Sequence, residues 1–215
     1  MQKALIAAVV IAVAGVGAWF VTQGPDAAAT ENSEAQSFDV VEMVQGNPDS
    51  PVEVIEYASF TCPHCASFHA NQYEDLKANY IDNGQIRFVY REVYFDQPGL
   101  WASMIARCGG EMRFFGISNL IYEQQQSWAR AGDGAAIAAS LRDIGKVAGL
   151  SEEDLDACLT DAEKAQELMA WYQSNAEADG ISSTPSFLIN GQLYSNMSYD
   201  EMAAILDQEL ADAGQ

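Results

Sequence analysis

Basic side chains are scarce in this sequence of 215 residues. Ten Lys and Arg oppose 31 Asp and Glu, which gives a net charge of −21 at pH 7. A surface this acidic repels phosphate backbones and anionic membranes, so we expect no binding to nucleic acid. The excess of carboxylates keeps a secreted protein soluble, and it would also suit a salty environment.

Histidine and cysteine are scarce as well, with two and four residues. Cys62, Cys65 and His69 can approach one another, and His64 is adjacent. A structural zinc ion takes four ligands, and no second Cys/His cluster supplies a clear fourth from outside this segment. We therefore interpret His69 as an ordinary helix histidine and expect no metal. Nucleotide and flavin motifs are also missing, so we expect no cofactor.

One long apolar run is present. Residues 4–21 carry no charge, and their length as a helix, roughly 27 Å, is close to the hydrocarbon thickness of a bilayer. The basic head and the small residues of DAAAT indicate a secretory signal over 1–29, cleaved after Ala29. An uncleaved membrane anchor is the alternative, and a buried core helix is a third. Either of the first two places the rest of the chain outside the cytoplasm, with membrane contact only through residues 4–21 if they are retained.

The predicted elements are those of an α/β protein with a helical insertion. β-Branched and aromatic runs predict strands, and Asn190-Gly191 is the signal of a tight β-hairpin turn. A linker at 30–37 precedes these elements. The first part has a strand at 52–60, a helix from 62 and a strand at 84–95. Helices follow from 99 to 179, and the chain continues with a hairpin at 185–195 and a helix at 198–214. The insertion, about 98–160, divides the domain 38–215.

The segment Thr61-Cys62-Pro63-His64-Cys65 follows the first strand and opens a helix. The first-turn N–H groups carry roughly half a positive charge and favour a thiolate at Cys62. Pro63 loses no hydrogen bond at this place, and His64 adds a second stabiliser beside the sulfur. Cys65 lies one turn further on, where desolvation opposes ionisation. We predict that Cys62 is the exposed nucleophile and Cys65 the resolving thiol, with an oxidising disulfide between them.

The four cysteines allow three pairings. Outside the cytoplasm, cysteines are normally oxidised in pairs. The spacing favours a local pair of Cys62 with Cys65, and it leaves Cys108 and Cys158 on separate helical segments.

A distant stretch, ISSTPSFLING, places Thr184-Pro185 at the start of the hairpin. A proline there, especially in cis, leaves the backbone polar groups of its neighbours free to face a peptide. VIEYASFTCPHC together with TPSFLING resembles the DsbA-like thiol:disulfide oxidoreductases of the bacterial periplasm. The resemblance covers about 38–215 and implies a thioredoxin fold with an inserted helical domain. It also implies that Cys62 reacts with substrates, that Cys65 resolves, and that Pro185 is a cis-proline opposite them.

Glu56 matches the buried acid that such proteins place beneath the disulfide, where it can accept a proton from Cys65. A strand-edge carboxylate that faces water is the alternative. Family members often have a basic partner for this acid on the next strand, where Tyr90 and Arg91 are the candidates. Which of the two faces inward is open at this point.

Two features depart from the best-known oxidases. Those proteins have valine before the proline, whereas this sequence has Thr184. A threonine at this position is similar to the isomerase branch of the family. Cys108 and Cys158 resemble a second disulfide of some family members. Closing that loop would contribute roughly 4 kcal/mol as a structural bond. A second redox-active pair is the alternative.

The prediction is an exported, monomeric thiol:disulfide oxidase that passes the Cys62–Cys65 disulfide to reduced, unfolded exported proteins. The resemblance suggests a quinone-linked, DsbB-like membrane protein as the partner that re-oxidises it. An isomerase or reductase of the same fold is the closest alternative, although residues 22–37 are too few for the dimerisation domain that isomerases usually carry. A metal carrier that uses the same CxxC motif is the alternative from another class.

Overall fold

A five-stranded mixed β-sheet organises the chain. The computed structural model describes residues 37–214. The strands are β1 (Met43–Gly46), β2 (Glu53–Ala58), β3 (Arg87–Glu92), β4 (Ser186–Ile189) and β5 (Gln192–Ser195). They lie in the order β1-β3-β2-β4-β5. Only the β2 and β3 neighbours are parallel in this sheet, and the other pairs are antiparallel. The residues that follow β2 therefore leave from the middle of the sheet.

The predicted signal or anchor at 1–29 and nearly all of the linker at 30–37 lie outside the described residues. Within residues 37–214, no helix is long and apolar enough to cross a membrane. The start of the domain at 38 and the limits of its insertion stay predictions.

Helices cover both faces of the sheet and fill the interval between β3 and β4. They are α1 (Pro63–Asn71), α2 (Tyr73–Leu76), α3 (Gln97–Cys108), α4 (Glu111–Glu123), α5 (Gln125–Trp128), α6 (Gly134–Val147), α7 (Glu152–Thr160), α8 (Ala162–Ala178) and α9 (Tyr199–Asp212). A π-helical turn, Lys77–Ile81, extends α2. The predicted insertion at about 98–160 would comprise α3 to α7, and the long helix α8 follows it.

The two faces of the sheet bury different sets of side chains. On one face, Phe187 of β4 packs on Phe68 of α1, and Phe88 of β3 packs on Phe115 of α4. The opposite face buries a smaller cluster from the same strands, which packs against Tyr172 of α8. Because side chains alternate along a strand, each residue of β2 is committed to one face or the other.

Local signals predicted most elements correctly. The hairpin turn lies at Asn190 and Gly191, where both residues have positive φ (48° and 80°), as a two-residue turn of this type requires. Ser151 and Asp154 form a capping box at the start of α7. The sequence prediction missed β1, a four-residue strand that pairs only with β3 at the edge of the sheet. A strand this short has too few residues to show an alternating pattern.

Candidate active site

Cys62 is the N-cap residue of α1, directly after the central strand β2. Pro63 is the first residue of the helix. The Cys62 carbonyl accepts the first helical hydrogen bond from the Ala66 N–H (3.1 Å), and the Cys62 N–H donates to the Ser59 carbonyl (3.0 Å). Cys62 is only 8% exposed and Cys65 is fully buried. Cys62 was expected to be exposed, but it is largely buried. It is still the more accessible of the two cysteines.

Hydrogen bonds to sulfur lower the pKa of Cys62 from 9.0 to about 5. The largest contribution is a hydrogen bond donated by the Cys65 thiol, and a side-chain hydrogen bond from Thr184 and the N–H groups of Cys65 and His64 add to it. Burial acts in the opposite direction. His64 contributes through its backbone, and its side chain is exposed. Stabilisation of the sulfur by the imidazole of His64 stays a prediction.

The pKa of Cys65 moves the other way. Burial raises it most, followed by the hydrogen bond to Cys62 and the negative charge of Glu56. Both cysteines are free thiols, so the structure represents the reduced pair. One thiol therefore ionises readily while the other keeps its proton, which is the division that nucleophile and resolving thiol require.

Thr184 and Pro185 lie across from Cys62 and are joined by a cis peptide bond. The Thr184 carbonyl oxygen is 3.5 Å from the Cys62 Sγ. The Thr184 hydroxyl is buried and has no hydrogen-bond partner, sulfur included, among the described residues. Its proton is therefore free to turn toward the Cys62 sulfur once that sulfur is a thiolate, which lowers the pKa of Cys62.

Glu56 is fully buried, and its charge contributes to the raised pKa of Cys65. It lies on the sheet face that packs against α1, so the alternative of a carboxylate facing water is wrong. The His69 Nε2 lies 3.1 Å from each carboxylate oxygen of Glu56. The polar partner of the buried acid is thus a histidine from helix α1.

Neither residue of β3 that the sequence suggested is this partner. Tyr90 shares the face of Glu56, but its hydroxyl lies 2.6 Å from that of Tyr122. Arg91 points to the opposite face, where its Nη1 lies 3.0 Å from a carboxylate oxygen of Asp179. The expectation of a basic partner on the next strand is therefore wrong.

His69 is a residue whose role sequence reasoning missed. It lies four residues after Cys65, so both side chains occupy the same side of the helix. That spacing was the available signal, since the face that buries Cys65 must also bury His69.

Gln125 is a second residue that sequence reasoning missed. Its buried side-chain Nε2 donates to the carbonyl oxygens of Phe60 and Cys62, each over 2.8 Å. The sequence carries three consecutive glutamines, Gln124 to Gln126, and only Gln125 is buried. Nothing in the sequence distinguishes it from its neighbours.

Cys108 and Cys158 form a disulfide with a Cα–Cα distance of 5.9 Å. The bond joins the last residue of α3 to α7, within the helical region. A structural role for it stays a prediction. Among the described residues, no group of three or more His, Cys, Asp or Glu side chains is arranged to hold a metal ion, and the metal-carrier alternative is a matter for experiment.

A CxxC pair at the start of a helix, directly after a central strand and opposite a cis-proline, is the arrangement of thioredoxin-like redox proteins. The chain belongs to the thioredoxin family, since the family model described as "Thioredoxin" matches residues 39–208. The predicted fold is confirmed by a crystal structure of α-DsbA1 from Wolbachia pipientis. That structure has a TM-score of 0.73 at 24% identity, covering 80% of this chain and 92% of the other.

Two curated relatives are also similar in sequence. A Rickettsia bellii protein named "Putative protein-disulfide oxidoreductase" is 35% identical over 173 residues, which are 80% of this chain and 66% of the relative. "Disulfide bond formation protein D" of Bacillus subtilis is 26% identical over 180 residues, 78% of this chain and 76% of the relative. The chain spans 66% of the Rickettsia bellii protein and less of the other Rickettsia relatives, down to 61%. The resemblance to DsbA-like proteins is thereby confirmed.

Proposed function

We propose that this protein is a thiol:disulfide oxidase that donates the disulfide of Cys62 and Cys65 to reduced proteins outside the cytoplasm. The observation that carries the proposal is the opposite shift of the two thiol pKa values, with that of Cys62 lowered to about 5 and that of Cys65 raised. A stabilised Cys62 thiolate favours the reduced pair, so the disulfide form gives up its bond readily. The names of the curated relatives support the same reaction class.

The reaction begins when a client thiolate attacks the Cys62 sulfur of the disulfide. The sulfur–sulfur bond breaks, and Cys65 leaves as a thiolate that takes up a proton. A second client thiolate then attacks the client sulfur of the mixed disulfide. Cys62 leaves as a thiolate, which its low pKa makes a good leaving group. The client dithiol has lost two electrons and the cysteine pair has gained them.

The cycle closes when a partner's disulfide accepts the two electrons from the reduced Cys62 and Cys65, which form their disulfide again. We propose a membrane protein of the DsbB type for this step, and unfolded exported proteins as the clients. The Cys108–Cys158 disulfide supports a location outside the cytoplasm, because disulfides persist mainly in oxidising compartments.

The test is oxidation of a reduced peptide with two cysteines by the oxidised full-length chain. We expect stoichiometric disulfide formation in the peptide and none with the Cys62→Ala variant. A Cys65→Ala variant has no disulfide to donate and should also leave this peptide reduced. When its Cys62 is first converted to a mixed disulfide with the aromatic disulfide DTNB, a single-cysteine peptide should displace the coloured thiolate and remain bonded to Cys62. Failure of the wild-type chain to oxidise the peptide contradicts the proposal.

An isomerase is the second candidate, and Thr184 before the cis-proline is the observation that favours it. An inactive enzyme whose disulfides are wrongly paired separates the two activities. An isomerase rearranges these disulfides and restores the activity of that enzyme without any net oxidation. Stoichiometric zinc binding by the reduced protein, with no peptide oxidation, would instead identify the metal carrier.

A further inference from the structure

A groove of about 780 Å³ runs along α1 beside the CxxC motif, and we call it the α1 groove. Thr61 and Pro63, which flank Cys62 in the sequence, both line it. Helix α1 forms one wall as far as Ala70, and the chain from the end of α4 to Arg130 forms the other. From Pro63 to Ala70 the helix rises by about 10 Å, which is the length of about three residues of an extended peptide.

The side chains of the α1 wall are small. Ala66, Ser67 and Ala70 lie on it, and Ser67 and Ala70 are exposed. Because these side chains are short, the backbone of a bound peptide can approach the helix closely.

The opposite wall contains a buried polar group with an unused acceptor. Gln125 lines the groove although it is only 5% exposed. Its Nε2 donates to two backbone carbonyl oxygens, whereas its Oε1 accepts no hydrogen bond from the described residues. A backbone N–H of a peptide in the groove is a donor of the kind that this oxygen lacks.

Arg130 is a cation without an ion pair in this acidic protein. Among residues 37–214, the other Lys and Arg side chains except Arg113 each lie within 4.0 Å of a carboxylate oxygen. Arg113 donates to backbone carbonyl oxygens instead. Arg130 is exposed on the wall of the α1 groove, so its guanidinium group is available to an anion that enters the groove.

The two ends of the groove differ in charge. A smaller pocket of about 240 Å³ shares Ala70 and Glu123 with the groove and continues to Glu74. Neither Pro63 nor Arg130 lines this smaller pocket. Arg130 therefore belongs to the end that holds the CxxC motif, and the carboxylates lie toward the other end.

We propose that the α1 groove binds the client segment that adjoins the attacking cysteine, and that Arg130 selects an acidic side chain next to that cysteine. The proposal rests on the proposed function and assigns the substrate preference of the same site. Arg130 acts on binding and orientation of the client, and it takes no part in the exchange of sulfur bonds.

The net charge of −21 does not prevent this preference. Charges on the rest of the surface are screened beyond about 8 Å at physiological ionic strength. A carboxylate in contact with Arg130 lies well within that distance. A control that changes the net charge without changing the groove separates the two effects.

The experiment compares two reduced peptides that each contain two cysteines. Glutamate flanks both cysteines on either side in one peptide, and glutamine replaces it in the other. Each is mixed with the oxidised full-length chain, and acid quenching followed by chromatography gives the rate of disulfide formation. Neighbouring glutamates also alter the reactivity of the peptide thiols themselves. That contribution is common to all protein variants, so the glutamate-to-glutamine rate ratio is compared between variants.

Arg130→Gln is the principal variant. We expect its rate ratio to be lower than that of the wild type by about twofold to fivefold, as for an exposed ion pair. Arg142→Gln is the matched control, because it removes the same charge from α6, outside the groove. An Arg130→Gln ratio equal to that of the wild type overturns the proposal, and so does an equal fall in Arg142→Gln.

Ser67→Trp tests whether clients enter the groove. The indole ring would occupy the space along the α1 wall, so we expect peptide oxidation to slow severalfold. Reduction of the same variant by dithiothreitol, which is too small to need the groove, should slow far less. Ser174→Trp places the same ring on an exposed position of α8 and is the control. Equal slowing with the peptide and with dithiothreitol, or no slowing with the peptide, overturns the proposal.

These outcomes are distinct from failure of the proposed function. A wild-type chain that oxidises neither peptide contradicts the function itself. A wild-type chain that oxidises both peptides, with a rate ratio that does not depend on Arg130, contradicts only the role of the groove.

Discussion

Gln125 on α5 donates its side-chain amide to the carbonyl oxygen of Cys62 over 2.8 Å. The same nitrogen donates to the carbonyl of Phe60, so a single side chain from the helical region holds the backbone before and at the proposed nucleophile. This contact links the helices that follow β3 to the geometry of the CxxC motif.

Replacing Gln125 by alanine should leave two buried carbonyl groups without this donor. An unmet buried hydrogen bond costs about 1–3 kcal/mol, so we expect the free energy of unfolding to fall by that amount in urea denaturation. Gln126→Ala is the matched control, because Gln126 is exposed and surface substitutions usually change stability by less than about 0.5 kcal/mol. Equal stability of the two variants would contradict the role of Gln125.

Replacing Thr184 by valine should raise the pKa of Cys62. The substitution removes the hydroxyl whose hydrogen bond favours the thiolate, and a hydrogen bond to a charged group is worth about 1.5–3 kcal/mol. At about 1.4 kcal/mol per unit, we expect a rise of on the order of one pKa unit and a potential lower by about 30 mV.

The measurement for Thr184→Val is the pH titration of ultraviolet thiolate absorbance in the reduced protein, with the Cys108–Cys158 bond kept intact. Ser182→Ala removes an exposed hydroxyl from the same loop and should leave the midpoint unchanged. A Thr184→Val midpoint equal to that of the wild type would show that the hydroxyl does not act on the sulfur.

Local chemistry explains why much of this protein could be predicted from its sequence. Asn190 and Gly191 determine their turn through backbone conformation, and Ser151 with Asp154 forms its cap within four residues. Cys62 could be placed at a helix start because strand, proline and helix pattern adjoin in the sequence. Such interactions span a few residues, so the sequence itself displays them.

The remainder depends on contacts between distant segments. Glu56 could be recognised as a candidate buried acid, but its partner depends on how α1 is rotated over the sheet. That rotation brings His69 to the carboxylate and leaves Arg91 on the other face. Gln125 is buried because α5 packs against the loop before α1. Its two neighbours, Gln124 and Gln126, are the same type of residue but are exposed.

Removing the second disulfide should destabilise the protein without changing the site. The bond closes a loop with a sequence separation of 50 residues, for which chain entropy predicts about 4 kcal/mol. We expect the double variant Cys108→Ser, Cys158→Ser to lose on the order of that amount in the free energy of unfolding. Its Cys62 titration midpoint and peptide oxidation should match the wild type. Loss of peptide oxidation by a folded double variant would indicate a redox-active second pair.

The stability of the reduced protein should rise with pH in a window set by Cys62. Its pKa is about 5 in the folded protein against an ordinary value of 9.0, so between these values the folded protein holds a thiolate while the unfolded chain holds a thiol. Unfolding then takes up a proton, and its free energy increases with pH by at most about 1.4 kcal/mol per unit. Cys65 adds no slope below about pH 8, because it stays protonated in both states there. Nearer its ordinary value of 9.0 it opposes the slope, because burial raises its pKa in the folded protein only.

The measurement is urea denaturation of the reduced wild type and of Cys62→Ala at several values between about pH 5 and about pH 9. The other titrating groups are common to both proteins, so the difference in their unfolding free energies isolates Cys62. We expect the free energy of unfolding of the wild type to rise relative to that of Cys62→Ala as the pH increases. This extra stability should disappear as the pH falls through the folded-state pKa of Cys62. A difference that does not vary with pH would mean that the folded protein does not stabilise the thiolate, and the proposed oxidase would lose its physical basis.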